Sequence, residues 1–341
     1  MPLRGAILYN AYGMKSNFAK NVERLIDPIT VGTLHFIQSF NRMLPRSVQQ
    51  MFVKSSAKKY PYMGFVVEPY ATFLFYEIAD VDQARRLLPD GFDLIKTKVF
   101  SDDEPKYYGA FGCFRAHTGA FWGARVELYI IAEDKKTGLL SWVIVDYDTN
   151  TISYDKKNGL RSPNSRQAVV TINHRGTVFV DVRCNDGSRE LVYDVNIEHG
   201  VMTKLDQRLW LEGNLSVGYG RLLSDNDADI FSLKFEPLEV EKALKIAAAE
   251  AHLESNTWLP GLFQPKPEQI ACFPYAQHFI SDSIGYSSNL RSKAELEATV
   301  KSLDFGKIAV YSVGPIRTMF MVGMALSTLV TITLLVMLII K

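Results

Sequence analysis

From residue 61 to residue 235 the chain alternates short runs of β-branched and aromatic residues with polar, turn-forming ones. The runs at 71–78, 107–115, 125–132, 139–146, 167–173, 177–183, 190–197, 209–221 and 230–235 predict strands. Asp90-Gly91, Thr137-Gly138, Asn158-Gly159, Arg175-Gly176 and Asn185-Asp186-Gly187 separate several of them. Such pairs supply the backbone conformations that tight turns need. Two stretches keep helical spacing instead. One is 82–88 (DQARRLL), stopped by Pro89; the other is 238–254, with Val240, Ala243, Leu244 and Ile246–Ala248 apolar. Many strands with few helices predict an α+β protein: a mainly antiparallel β-barrel or sandwich flanked by helices.

The two ends of the chain follow other patterns. Residues 319–340 (MFMVGMALSTLVTITLLVMLII) hold no charge, and Arg317 and Lys341 flank them. About 20 apolar residues in a helix span the hydrocarbon core of a bilayer. Flanking basic residues can reach the two interfaces. This segment predicts one transmembrane helix, and its place at the end of the chain predicts a tail anchor. The preceding domain then stays in the cytoplasm, or on the equivalent side of an organelle membrane. No ionisable residue lies inside the span to suggest an ion or proton path.

Near the N-terminus, Leu34, Ile37, Phe40 and Met43/Leu44 form one apolar stripe that ends at Pro45. Val48, Met51 and Phe52 and the basic run 54–59 follow. Three readings fit: a helical arm packed on the domain or on a partner subunit, an interfacial membrane helix, or an acid-poor transit peptide.

Charge sharpens this division. The 341 residues sum to +1, yet residues 1–60 hold nine basic and two acidic residues, a net of +7. The rest is therefore net −6. A near-neutral total excludes a whole-domain nucleic-acid binder, whereas the basic segment suits an anionic membrane surface. Cys113, Cys184 and Cys272 are three in number, far apart and without a CxxC pair. That excludes a disulfide framework and a zinc ribbon, and favours a reducing compartment. The six histidines show no metal-ligand spacing, so no metal is expected. There is no GxSxG, P-loop or GxGxxG, and no cofactor is predicted.

Three patches together carry a resemblance. The first is 84–94 (ARRLLPDGFDL), a helix running into LPDGF. The second is the strand 123–130 (GARVELYI), followed by the turn and strand 138–142 (GLLSW). The third is 210–219 (WLEGNLSVGY), continuing into Phe235-Glu236-Pro237-Leu238. In this order they resemble the acetoacetate decarboxylase-like superfamily over roughly residues 66–255. The resemblance implies a closed β-barrel with an apolar interior, lined by carboxylates and an arginine. It also implies a Schiff-base lysine, deprotonated by a neighbouring cation in an apolar pocket. Lys156-Lys157 stands in the corresponding order, although the family's Gly-Phe-Pro turn is missing and Asp155, Asn158 and Gly159 make the stretch read as a hairpin loop.

Arg125 and Glu127 lie two apart in a strand, so they share a face, and Tyr129 shares it with them. That face points either inward, to bind a polar head group, or outward, as a cross-strand ion pair. Phe111 and Trp142 are the aromatic candidates for a cavity lining suited to an apolar ligand. The chain thus reads as an arm (1–60), a barrel domain (61–255), a connector with a Pro-rich loop and a helix near 292–303 (256–318), and an anchor (319–340). The expected function is binding of a small apolar or keto-acid-like ligand, or service as an accessory subunit of a membrane complex or homo-oligomer. Membrane lipids are the expected surroundings. The alternative is a β-keto acid decarboxylase using Lys156 or Lys157.

Overall fold

A computed structural model describes residues 16–41, 44–45, 47–48, 63–118, 122–151, 153–155, 159–161, 163–212, 217–219, 230–281, 292–308 and 314–340. Its helices are α1 (Asn17–Arg24), α2 (Pro28–Asn41), α3 (Val81–Leu87), α4 (Lys293–Ser302) and α5 (Gly314–Ile340). The longer strands are β1 (Met63–Val67), β2 (Ala71–Glu77), β3 (Lys106–Thr118), β4 (Trp122–Asp134), β5 (Leu140–Thr149), β6 (Ser165–Ile172), β7 (Thr177–Cys184), β8 (Glu190–Asn196), β9 (Lys242–Ile246), β10 (Ala251–Asn256), β11 (Gln269–Phe273) and β12 (Gln277–Ser281).

Helix ends follow from local chemistry. Ser16 caps α1 by accepting from the Ala19 amide, and Asp80 caps α3 by accepting from Gln83. Asp27 accepts from the Ile29 and Thr30 amides, and Pro28 opens α2 at a position whose missing N–H costs nothing. The predicted short helix at 82–88 is α3.

One 14-stranded sheet carries the fold. Its main path runs Val201–Lys204, β9, β11, β2, β3, β4, β5, Val217–Tyr219, Ile230–Phe231. Off this path, β1 pairs with both β3 and β12, and β12 also pairs with Leu233–Phe235. Except for β5 with Val217–Tyr219, the pairings along these strands are antiparallel. A second, four-stranded sheet follows the order β6, β7, β8, β10.

Both faces of the large sheet are buried. On β4, Val126, Leu128 and Ile130 join Val178, Val180, Val182, Leu191 and Val195 of the small sheet in one core. The alternate positions, Arg125, Glu127, Tyr129 and Ile131, face the other way. There Phe75, Trp142, Trp210 and Phe273 form a second core with Tyr129 and Ile131. In a flat sheet β2 and β5, with β3 and β4 between them, would lie about 14 Å apart. The Phe73 and Trp142 ring centroids are only 5.8 Å apart. The sheet therefore curls, and this second face is concave.

Three expectations are corrected. The hydrogen-bonded strand order among the described residues is an open path, so the closed barrel is not found. After Ile230–Phe231 ends that path, Leu233–Phe235 pairs with β12 instead. The helix expected at 238–254 is a 3-10 turn (Pro237–Val240) followed by β9 and β10. Ala243 enters the concave core while Leu244 and Ile246 enter the other, so this segment feeds two faces, which one helical stripe cannot do. The strand expected at 209–221 opens as a π-helical turn, Arg208–Glu212, that buries Leu209, Trp210 and Leu211.

The segment read as a connector carries β11 and β12 of the large sheet before α4, which lies where a helix was expected. At the other end, α1 packs across β1 and β12, burying Phe18, Ala19 and Val22. Gly64 makes that approach possible: a Cβ there would stand 3.1 Å from Leu25 Cβ.

Candidate functional site

The concave face of β4 assembles the polar group. Strand periodicity places Arg125, Glu127 and Tyr129 in a row, and the bulge opposite Leu128 and Tyr129 falls on β5, where Val145 is the extra residue. Opposite Glu127 on β3 is Gly112. A Cβ at Gly112 would lie 2.8 Å from a Phe73 ring carbon and 3.0 Å from one of Tyr129, so the glycine leaves the space these rings fill.

The row is linked by its own hydrogen bonds. Arg125 Nε donates to Glu127 Oε1, and the Tyr129 hydroxyl donates to Glu127 Oε2. The Arg125 guanidinium also stacks 4.0 Å from the Tyr147 ring centroid, a cation–π contact contributed by β5. Arg125 is 6%, Glu127 8% and Tyr129 8% exposed, so all three are buried. The inward alternative for this face is the one the structure adopts.

Around the triad the face is aromatic. Tyr129 meets Trp142 edge-on at 5.2 Å, and Trp142 meets Trp210, Phe73 and Phe75 at 5.2 to 5.9 Å. The polar edges of the two tryptophans are satisfied by backbone: Trp142 Nε1 donates to the Leu209 carbonyl and Trp210 Nε1 to that of Val99. These rings are buried, Phe73 partly so, and packed on one another, with the triad set among them. Of the predicted residues, Arg125, Glu127, Tyr129 and Trp142 come together. Phe111 does not: it lies in the other core, edge-on to Tyr76 and Trp258. Lys156 and Lys157 lie outside the described residues. Phe73, Tyr147 and Trp210 were not singled out from the sequence; the period-two alternation of β2 puts Phe73 on this face, and a bulge at Val145 shifts the phase of β5 so that Tyr147 joins Trp142 and Ile144 there.

An amine nucleophile needs a depressed pKa. Two described lysines depart from the ordinary value, and both are raised. Burial pulls Lys245 down, but the hydrogen bond to Asp103 and the charges of Asp103 and Asp102 more than offset it. Hydrogen bonds to Glu268 and Glu77 raise Lys106. Lys234 is a buried lysine that sequence reasoning did not mark. It pairs with Ile280, which in turn pairs with Gly64, so it belongs to the face that α1 covers.

A second polar cluster ties the two sheets together. Arg189, at the start of the small-sheet strand β8, donates to Asp146 and, at 3.0 and 3.3 Å, to both oxygens of Asp148 on β5. Its guanidinium lies 5.0 Å from the Trp258 ring centroid. Asp148 is fully buried, and desolvation, only partly countered by Arg189, pushes its carboxyl up to about 6. Among the described residues no group of three or more His, Cys, Asp or Glu side chains is placed to hold a metal ion.

At the C-terminal end, Arg317–Ile340 lies in a helix long and apolar enough to cross a membrane, and its side chains are exposed rather than packed in the protein. Its threonine hydroxyls at 328, 331 and 333 donate to carbonyls one turn back.

Comparison with known proteins is sparse. No family model matches the chain, and no curated protein matches it. Among solved structures, it is similar to a crystal structure of acetoacetate decarboxylase from Legionella pneumophila, at 13% identity and a TM-score of 0.43. That similarity covers 67% of this chain and 87% of the other. At that level of likeness no activity is transferred.

Proposed function

We propose that this is a single-span, membrane-anchored protein whose concave β face binds a small, largely apolar ligand bearing a carboxylate or keto group. The polar end of the ligand would lie against Arg125, Glu127 and Tyr129, and its apolar body against Trp142, Trp210 and Phe73. The observation that carries this reading is the buried Arg–Glu–Tyr triad on an otherwise aromatic face. A buried ion pair is a poor way to stabilise a core, since apolar residues of similar volume do as well or better. A polar triad set among rings is well suited to orienting one polar group. Helix α5 is the anchor in this reading. The net +7 of residues 1–60 favours the cytoplasmic side, or its organelle equivalent, for the domain.

The test uses the full chain, purified from membranes in mild detergent, with bound small molecules identified by native mass spectrometry and solvent extraction. A carboxylate- or keto-bearing lipid-like compound retained by the wild type and lost from Arg125→Gln supports the proposal. Equal retention by both, or no bound compound even after incubation with medium-chain keto acids, overturns it. Borohydride reduction in the presence of acetoacetate is expected to label no lysine; a labelled lysine in the β domain would make the chain an enzyme rather than a binder.

A further inference from the structure

The described part of the N-terminal segment does not end at α1. Helix α2 leans on the first turns of the anchor, and between them lies a groove of about 360 Å³, within the range of small-molecule sites. One wall is a single face of α2: Ile29, Thr33 and Phe36, at i, i+4 and i+7. The other is a single face of α5: Arg317, Met321 and Met324, at the same spacing, with Phe320 beside them. Phe36 and Phe320 meet edge-to-face at 6.1 Å. The Thr33 hydroxyl is already used, donating to the Ile29 carbonyl at 2.7 Å. Arg317 is therefore the one charge in an otherwise apolar lining.

Position decides what such a groove can hold. Arg317 begins the apolar stretch that runs to Ile340. In a helix rising 1.5 Å per residue, Met324 lies about 10 Å deeper than Arg317. The charge thus stands where headgroup phosphates lie and the apolar walls stand where acyl chains begin. The charge of Arg317 is felt at Asp27, the cap of α2, but it is the weakest of the influences on that carboxyl. The groove is also continuous with the exposed apolar surface of α5, which the reading above places in lipid. An occupant needs an anion at one end and a chain at the other. The net +7 of residues 1–60 favours a net negative headgroup over a zwitterionic one.

We infer that the α2–α5 groove is a binding site for one anionic phospholipid, with its phosphate paired to Arg317 and an acyl chain laid along Phe36, Phe320, Met321 and Met324. This inference rests on the anchoring reading of α5 and names a ligand for that end of the molecule.

The experiment reconstitutes the full chain into nanodiscs of equimolar phosphatidylcholine and phosphatidylserine, then releases it and counts retained lipids by native mass spectrometry. Alkaline extraction of membranes from the same cells scores anchoring separately. Wild type is expected to retain about one lipid, with phosphatidylserine preferred about fivefold, the equivalent of ~1 kcal/mol for a basic residue at a membrane surface. Arg317→Gln should keep the protein in the membrane and bring that preference to parity. Met324→Trp, which fills the groove without adding charge, should lose the retained lipid of either kind. An undiminished preference in Arg317→Gln, or undiminished retention in Met324→Trp, overturns the inference while leaving the anchor intact. Release of the wild type by alkaline extraction would instead overturn the anchoring itself.

Discussion

Asp148 offers a direct test of the electrostatics between the two sheets. Its carboxyl is fully buried, and loss of solvent, opposed by Arg189, raises it from 3.8 to about 6. A folded-state pKa above the unfolded value has a definite sign. Between pH 3.8 and about 6 the folded protein keeps a proton that the unfolded chain has lost. Stability from this group is therefore full below 3.8, falls by about 1.4 kcal/mol per pH unit across the window, and levels off above it. The whole fall is at most about 3 kcal/mol. Asp27 and Asp186 are held below the ordinary range and act below this window. Asp148→Asn keeps the shape and an oxygen for Arg189 but cannot titrate. We expect the difference in unfolding free energy, variant minus wild type, to rise by up to about 3 kcal/mol between pH ~4 and ~6.5 and then stay flat. Guanidinium titrations in non-ionic detergent measure it, followed by tryptophan fluorescence; Trp258 lies 5.0 Å from Arg189 and reports this cluster directly. Parallel stability–pH curves for the two proteins would refute the reasoning, because they would mean that Asp148 is ionised in the folded state throughout.

Three further outcomes follow from particular contacts. Arg125→Met leaves Glu127 buried without its cation and should cost about 3–5 kcal/mol by denaturant midpoint, whereas Arg125→Met with Glu127→Leu should recover most of that; a double variant no better than the single one contradicts the pairing. Gly112→Ala drives a methyl against Phe73 and Tyr129 and should cost about 1–3 kcal/mol, while Gly32→Ala on α2, with nothing within 4 Å of its Cβ, should be neutral or slightly stabilising. His278 sits between Glu239 at 2.9 Å and Glu23 of α1 at 3.3 Å. Burial lowers its pKa, but those two partners outweigh burial and raise it above 6.5. Amide-exchange protection of Phe18–Val22 should therefore weaken as pH rises through that raised value, and His278→Gln should abolish the dependence.

What the chain declared in advance was whatever local pattern controls. The strands centred on Phe75, Val126, Val143, Val180 and Val192 were all legible, because each alternates or runs apolar between turn residues. The apolar helix at the C-terminus was legible for the same reason. The failures share one cause. The 238–254 segment is rich in Ala, Glu and Lys and reads as a helix, yet its slot between Val201–Lys204 and β11 offers backbone partners on both edges. Tertiary pairing overrode a weak propensity there. Likewise β11 and β12 are short and sit beside prolines, so nothing local announced that they complete the large sheet. Closure of a barrel is a long-range property of register, and no local pattern carries it.

The orientation of the Arg125 row is more instructive, because the information needed was present but lay on a different strand. Alternation along β4 alone says that Arg125, Glu127 and Tyr129 share a face and that Val126, Leu128 and Ile130 share the other; it does not say which face is wet. Antiparallel pairing puts Phe114 opposite Arg125, Gly112 opposite Glu127 and Ala110 opposite Tyr129. An outward row would therefore have laid the polar side chains of β4 beside a solvent-exposed strip of Ala, Gly and Phe. An inward row lets that strip pack against rings, with Gly112 admitting Phe73 and Tyr129. The small residues of β3 are thus the complement of the large ones on β2 and β5, as volume must balance across a packed interior. The triad is held inside because its neighbours leave no wet side for it. The same packing places Glu127 against the buried guanidinium of Arg125.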